Sequence, residues 1–169
     1  EMYADLLGIA TARRVMRTYA SPFPAENRLL LVHPHATTLY VKRGAEMHDS
    51  IAREIAGIAS GVPGNVAAFF PSYELLEEAH RRLRAARIPK KILVERPQWT
   101  KIQRDGALEV LRLARAEGGG ACLLGVQGGS LSEGVDYHDN LLAAVIVVGL
   151  PLSPPSLEVE ALRDYYSRK

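Results

Sequence analysis

Asn65-Val66-Ala67-Ala68-Phe69-Phe70-Pro71-Ser72-Tyr73-Glu74-Leu75-Leu76 is the stretch that decides the fold. Asn65 to Phe70 reads as a continuous apolar strand, without the alternation of a strand that has one wet face. Pro71-Ser72 stops it, and Ser72 stands where the N-cap of a helix belongs, with Leu75, Leu76, Ala79 and Leu83 on that helix's inner face. Working outward, the same unit recurs. Upstream, Met47, Ile51, Ile55 and Ile58 fall at helical spacing, closed by Gly61-Val62-Pro63-Gly64. Downstream, Pro89 ends the helix and Ile92-Leu93-Val94 is the next strand. A helix then runs to about Glu117 with Leu108, Leu111 and Ala114 inward, ending at Gly118-Gly119-Gly120. Ala121 to Val126 and Ala143 to Val148 are further strands, and Pro155 suits the first turn of a last helix. Strands apolar along their length, alternating with helices, imply a mostly parallel α/β sheet covered on both faces.

The N-terminal part is less regular. Met2, Leu6 and Ile9 suggest a short helix, and Ser21-Pro22-Phe23-Pro24 breaks the chain. Leu29-Leu30-Leu31-Val32 has the length of a buried strand, and Thr37 to Val41 has the β-branched and aromatic composition of another.

Composition narrows the class. In 169 residues, 47% hydrophobic and 24% charged, there is enough apolar surface for a core, so disordered and fibrous classes are excluded. One cysteine, Cys122, excludes an internal disulfide, a self-contained iron–sulfur cluster and a cysteine zinc site, and its apolar strand makes it a core residue. The longest apolar run, Leu141 to Leu152, is interrupted by Gly149 and Pro151 and is too short to span a bilayer. No basic n-region opens the chain, so a soluble, intracellular single domain is expected. A net charge of +2 permits an anionic partner without requiring one. The chain begins with Glu1 and ends in a helix-like pattern at Tyr165-Tyr166-Ser167-Arg168-Lys169, as a piece of a longer protein would.

In a parallel sheet, ligands bind beyond the carboxyl ends of the strands. Three such segments stand out. Pro71-Ser72-Tyr73 offers a hydroxyl and free amides at a helix start, which serve either as a simple cap or as a phosphate site. Gln127 to Tyr137 packs three glycines, two serines and two carboxylates into eleven residues. Glycines allow close backbone approach, serines and amides bind phosphate oxygens, and Glu133 or Asp136 can accept from a ribose hydroxyl or a metal-bound water. A plain connector would need neither carboxylate. Gly149-Leu150-Pro151-Leu152 reads as a strand-to-helix turn.

Other constellations carry less. Among His33, His35, His48, His80 and His138 only His33-Pro34-His35 has metal-like spacing, and it lacks a third ligand. Ser130, Asp136 and His138 lack the nucleophile-elbow pattern of a hydrolase triad. Trp99 serves either core packing or base stacking. Arg81, Arg82, Arg84, Arg87, Lys90 and Lys91 read as the solvated face of an amphipathic helix, with a nucleic-acid face as the alternative. No Gly-x-x-x-x-Gly-Lys-Ser/Thr sequence occurs, so the chain cannot hydrolyse ATP alone by that route.

These residues resemble a known family. Gly128-Gly129-Ser130-Leu131-Ser132-Glu133-Gly134-Val135-Asp136-Tyr137 resembles motif V of XPD/DinG-type superfamily-two DNA helicases, archaeal XPD proteins above all. Ala68-Phe69-Phe70-Pro71-Ser72-Tyr73 resembles motif IV, Val145 to Pro151 the strand after motif V, and Glu1 to Gly8 the segment after motif III. The resemblance implies a RecA-like second motor domain over residues 1–169, lying after motif III and before motif VI. In such proteins two RecA-like domains clamp ATP and its magnesium while single-stranded DNA crosses their upper face. The first domain carries the P-loop and a four-cysteine iron–sulfur cluster, and motif VI supplies arginines for the transferring phosphate. The resemblance puts Glu133, Gly134 and Asp136 on the nucleotide side. Ser72, Tyr73, Ser130 and Ser132 fall on the DNA side, with Ser72 on a phosphate. The implied whole is an ATP-dependent five-prime to three-prime helicase of nucleotide excision repair, cytoplasmic and nucleoid-associated in an archaeon or bacterium, with repair proteins as partners. The fragment alone is expected to be inactive. A non-catalytic docking or single-strand-binding module, and an enzyme on a phosphorylated small molecule, are the competing readings.

Overall fold

The computed structural model describes residues 2–22, 24–34, 36–152 and 156–168. Pro155 and His35, to which the sequence assigns roles, lie outside the described residues. The chain divides into two compact units, Glu1–His33 and Pro34–Lys169.

The first unit holds the helix α1 (Met2–Leu6) and 3-10 turns at Thr11–Arg13 and Ala25–Asn27. The helix ends before Ile9 because Gly8 takes a φ of +67°. Leu29-Leu30-Leu31-Val32 is not the buried strand its composition suggests. All four side chains are exposed, at 78 to 85%. An apolar run supplies no partner edge by itself, and three leucines bring little β-branching to favour an extended chain.

The second unit is a four-stranded sheet, order β2-β3-β1-β4, with every pairing parallel. The strands are β1 (Val66–Phe70), β2 (Lys91–Val94), β3 (Ala121–Val126) and β4 (Ala144–Val147). The helix α2 (Ala45–Gly61) precedes β1, α3 (Tyr73–Ala86) joins β1 to β2, α4 (Lys101–Ala116) joins β2 to β3, and α5 (Leu157–Ser167) follows the sheet. The α/β RecA-like expectation holds. Side chains on β1 and β3 part to two cores. Ala68, Phe70, Cys122, Leu124 and Val126 meet α2 and α3 through Met47, Ile51, Ile55, Leu76, Ala79 and Leu83. Ala67, Phe69, Ala121 and Leu123 meet α4 through Leu111 and Ala114. Trp99 packs against this second core. Burial pushes the Cys122 thiol up to about 11, as fits an inert core cysteine.

Covering of both faces holds for β1 and β3, and in part for β2 through Ile92, Leu93 and Val94, but not for β4. On β4, Val145 and Val147 are 54% and 62% exposed, because the helices pack over the sheet centre. Thr37–Val41 is a second correction. The Thr37 hydroxyl accepts from the Leu39 N–H at 3.2 Å, and a 3-10 turn follows at Tyr40–Lys42. That local bond diverts an amide that a strand would need for its ladder.

Caps match the sequence. Ser72 Oγ accepts from Leu75 N–H at 3.3 Å, and Thr100 with Gln103 forms a capping box on α4. Arg82 pairs with Asp49 and Glu78, and Arg81 with Glu78, so much of the basic stretch is the ion-paired surface of α3.

At the amino ends of the strands, the buried Asn65 ties three segments. Its Nδ2 donates to the Leu111 and Leu141 carbonyls at 2.8 and 2.9 Å, and its Oδ1 accepts from Ala121 N–H at 2.8 Å. Asn65→Ala leaves these backbone groups without partners at roughly 1–3 kcal/mol each. Urea unfolding is expected to show a loss of about 3 kcal/mol, and a change under 1 kcal/mol would contradict the role assigned to this side chain.

Candidate functional site

Because all four strands are parallel, their carboxyl ends share one edge, where Glu95, Pro71-Ser72-Tyr73, Gln127 and Gly149 leave β2, β1, β3 and β4. The three segments singled out from sequence therefore meet on one rim. Gln127 joins them. Its backbone N–H donates to the Phe70 carbonyl at 2.9 Å. Its side-chain Nε2 lies 3.1 Å from the carbonyls of Phe69 and Val148 and 3.3 Å from that of Gly149, so two amide hydrogens serve three acceptors.

Behind Gln127 sits a residue the sequence reading passed over. Glu95 is fully buried at the end of β2. Its Oε2 accepts from Val126 N–H at 2.9 Å. Its Oε1 accepts from Ser130 N–H at 2.7 Å and from Ser130 Oγ at 2.9 Å. A Cβ at Gly129 would stand 2.5 Å from Oε1, and one at Gly125 2.9 Å from Oε2, so both glycines leave room for the carboxyl group. The signal was present: the rule that selects residues following strands applies to Glu95 after Ile92-Leu93-Val94 as it does to the other three exits.

The candidate residues divide by burial. Tyr73 is half-buried in the first turn of α3, and Ser72 caps that helix. Ser130 is half-buried on Glu95. Leu131 is fully buried and anchors the middle of the loop, with Tyr137 donating its hydroxyl to the Leu131 carbonyl at 2.6 Å. Between those anchors Ser132, Glu133, Gly134 and Asp136 are exposed. Ser132 Oγ donates to the Gly129 carbonyl at 3.1 Å, and Asp136 lies 3.4 Å from His138 Nε2. Ser130 faces Glu95 while His138 faces Asp136, so no triad forms. The rim is open surface. A cavity of about 430 Å³ lined by His80, Leu83, Arg84, Arg87, Ile88 and Ile92 lies at the opposite edge, where α3 ends and β2 begins. Among the described residues, no three His, Cys, Asp or Glu side chains are grouped to hold a metal ion. No described helix is long and apolar enough to cross a membrane.

Comparison with known proteins gives the family. The helicase C-terminal domain family matches residues 55–169, from within α2 through the whole sheet to the last helix. The chain belongs to that family, in its XPD-like branch. The ATP-dependent DNA helicase DDX11 of Homo sapiens is 28% identical over 93% of this chain and 18% of its own length. Regulator of telomere elongation helicase 1 of Bos taurus is 33% identical over 69% of this chain and 10% of its own length. The chain thus spans less than a fifth of the length of either relative. Among solved structures, an XPD helicase covers 78% of this chain at a TM-score of 0.57, and an apo XPD covers 79% at 0.60, each 26% identical. They cover 22% and 26% of those chains.

Burial, with the Glu95 charge adding to it, pushes the Tyr137 hydroxyl up from 10.0 to about 12. The folded helicase domain thus holds a proton that the unfolded chain loses first, so its stability falls as pH rises from about 10 to about 12. Tyr137→Phe is expected to lower stability at neutral pH by about 1 kcal/mol, through the lost bond to Leu131, and to flatten the decline over that alkaline window. Urea titrations at stepped pH check both, and an unchanged alkaline slope would refute the assignment.

Proposed function

We propose that the chain, residues 1–169, is the second motor domain of an ATP-dependent DNA helicase. It contributes one wall of an ATP cleft and part of a single-stranded DNA track. The observation that carries this reading is the convergence of the Ser72, Gln127 and Gly149 turns on one rim, tied by the Gln127 amide. In this reading Glu133, Gly134 and Asp136 face the nucleotide. Ser72 and Tyr73 meet the DNA backbone, and Ser130 and Ser132 lie towards it or couple it to the cleft. The exposed Glu133 and Asp136 are acceptor-only groups, suited to ribose hydroxyls or to water but not to phosphate oxygens.

The P-loop, the arginines of motif VI and an iron–sulfur cluster would come from elsewhere in the full-length protein, since this chain has neither the P-loop sequence nor four cysteines. ATP and magnesium use, five-prime to three-prime polarity and a role in nucleotide excision repair belong to the same reading. Support comes from relatives that are named ATP-dependent DNA helicases.

In the full-length protein, single-stranded DNA should stimulate ATP turnover. DNA affinity should fall with salt on a log–log slope of about −0.7 per phosphate neutralised. Asp136→Ala is expected to lower turnover at least about tenfold with an unchanged circular dichroism spectrum, a loss of about 1.4 kcal/mol of transition-state stabilisation. Wild-type turnover in that variant would overturn the nucleotide-side assignment. Turnover by the isolated chain well above buffer would overturn the division into two walls.

A further inference from the structure

Among the described residues, two polar side chains are buried in the core, Asn65 and Glu95. Asn65 binds the backbones of α4, the start of β3 and Leu141 at the amino ends of the strands, far from the rim. Glu95 differs. Each of its three donors, Val126 N–H, Ser130 N–H and Ser130 Oγ, belongs to the end of β3 or to the loop that leaves it. Burying a carboxyl group costs free energy that an apolar side chain of similar size would not. Stability alone therefore does not call for a glutamate here. What a carboxyl group supplies is two acceptor oxygens at a fixed separation, one for the strand end and one for the fourth residue beyond it.

We propose that Glu95 is the positioning residue of this loop: its two oxygens fix Ser130 relative to the end of β3, and so set where the exposed run Ser132 to Asp136 stands on the rim. The inference rests on the functional reading above for what the loop binds, and on geometry alone for what holds it. Gly125 and Gly129 are the counterpart of this arrangement, since a side chain at either would drive the carboxyl group out. The influence of Glu95 also reaches the other turn. The Tyr73 hydroxyl is raised above its ordinary value by burial first, then by the nearby Glu95 carboxylate. One buried group thus borders the turn assigned to DNA and the loop assigned to nucleotide.

Glu95→Gln in the full-length protein tests this directly. The amide keeps one acceptor oxygen and turns an NH2 group toward an N–H donor, so the two attachments cannot both survive. Amide hydrogen exchange should accelerate at least about tenfold in peptides spanning residues 126–137 while α2 and β1 stay protected. DNA-stimulated kcat should fall about tenfold with KM for ATP changed less than about threefold. Ser130→Ala should lower kcat about threefold, and adding it to Glu95→Gln should cost nothing further, because both act through one attachment. Multiplying effects would mean independent roles and would overturn the proposal. So would unchanged exchange in 126–137, or acceleration spread over the whole chain. If the wild-type protein shows no DNA-stimulated turnover, the functional reading fails, and the exchange pattern alone then decides whether Glu95 positions the loop.

Discussion

A carboxyl group taken out of water at the end of β2 is the constraint on which the rim of this molecule depends. Glu95 is tolerated there because backbone and hydroxyl donors meet both of its oxygens. Satisfying it dictates much of the neighbourhood. A Cβ at residue 125 would meet the Phe69 ring as well as the carboxyl group and one at 129 the Val126 carbonyl as well, the chain after β3 must turn within four residues to present Ser130, and Leu131 is thereby delivered to the second core. The loop that leaves this knot is pinned at Ser130, Leu131 and Tyr137 and open between them. That gives a short exposed arc carrying Ser132, Glu133, Gly134 and Asp136 at a defined place.

The chemistry of that arc limits what it can contribute. Residues 128–137 contain two carboxylates and no lysine or arginine. In the proposed reading a nucleotide's phosphates would find only amides and hydroxyls on this arc, and cations for them would come from another surface. Three cations of the stretch from 81 to 91 are already engaged: Arg81 and Arg82 by Glu78 and Asp49, and Lys90 by the Gly64 and Gly119 carbonyls at 2.6 and 3.0 Å. Those two turns lie at the far edge of the sheet. The division of charge within the chain is thus consistent with a wall of a shared cleft and not with a self-sufficient one.

What could be read in the sequence was what depends on neighbours in the chain. The face of α3, with Leu75, Leu76, Ala79 and Leu83, follows from helical spacing, and Ser72 follows from capping chemistry. The doubly covered centre follows from the unbroken apolar runs of β1 and β3. What could not be read depends on partners distant in the chain. Strand order is set by packing, so β1 beside β3 and β4 left no local trace. Leu29-Leu30-Leu31-Val32 looks like a strand only until one asks which edge it would join. Thr37 diverts the next segment through a bond two residues long. Glu95 meets Ser130 across thirty-five positions, and no motif spacing joins them.

The Gln127 amide has a mechanical consequence. A side chain that grips the exits of β1 and β4 while its own backbone belongs to β3 resists any sliding of these three strands along one another at that end. The exits of these three strands thus form one braced floor beneath the loops.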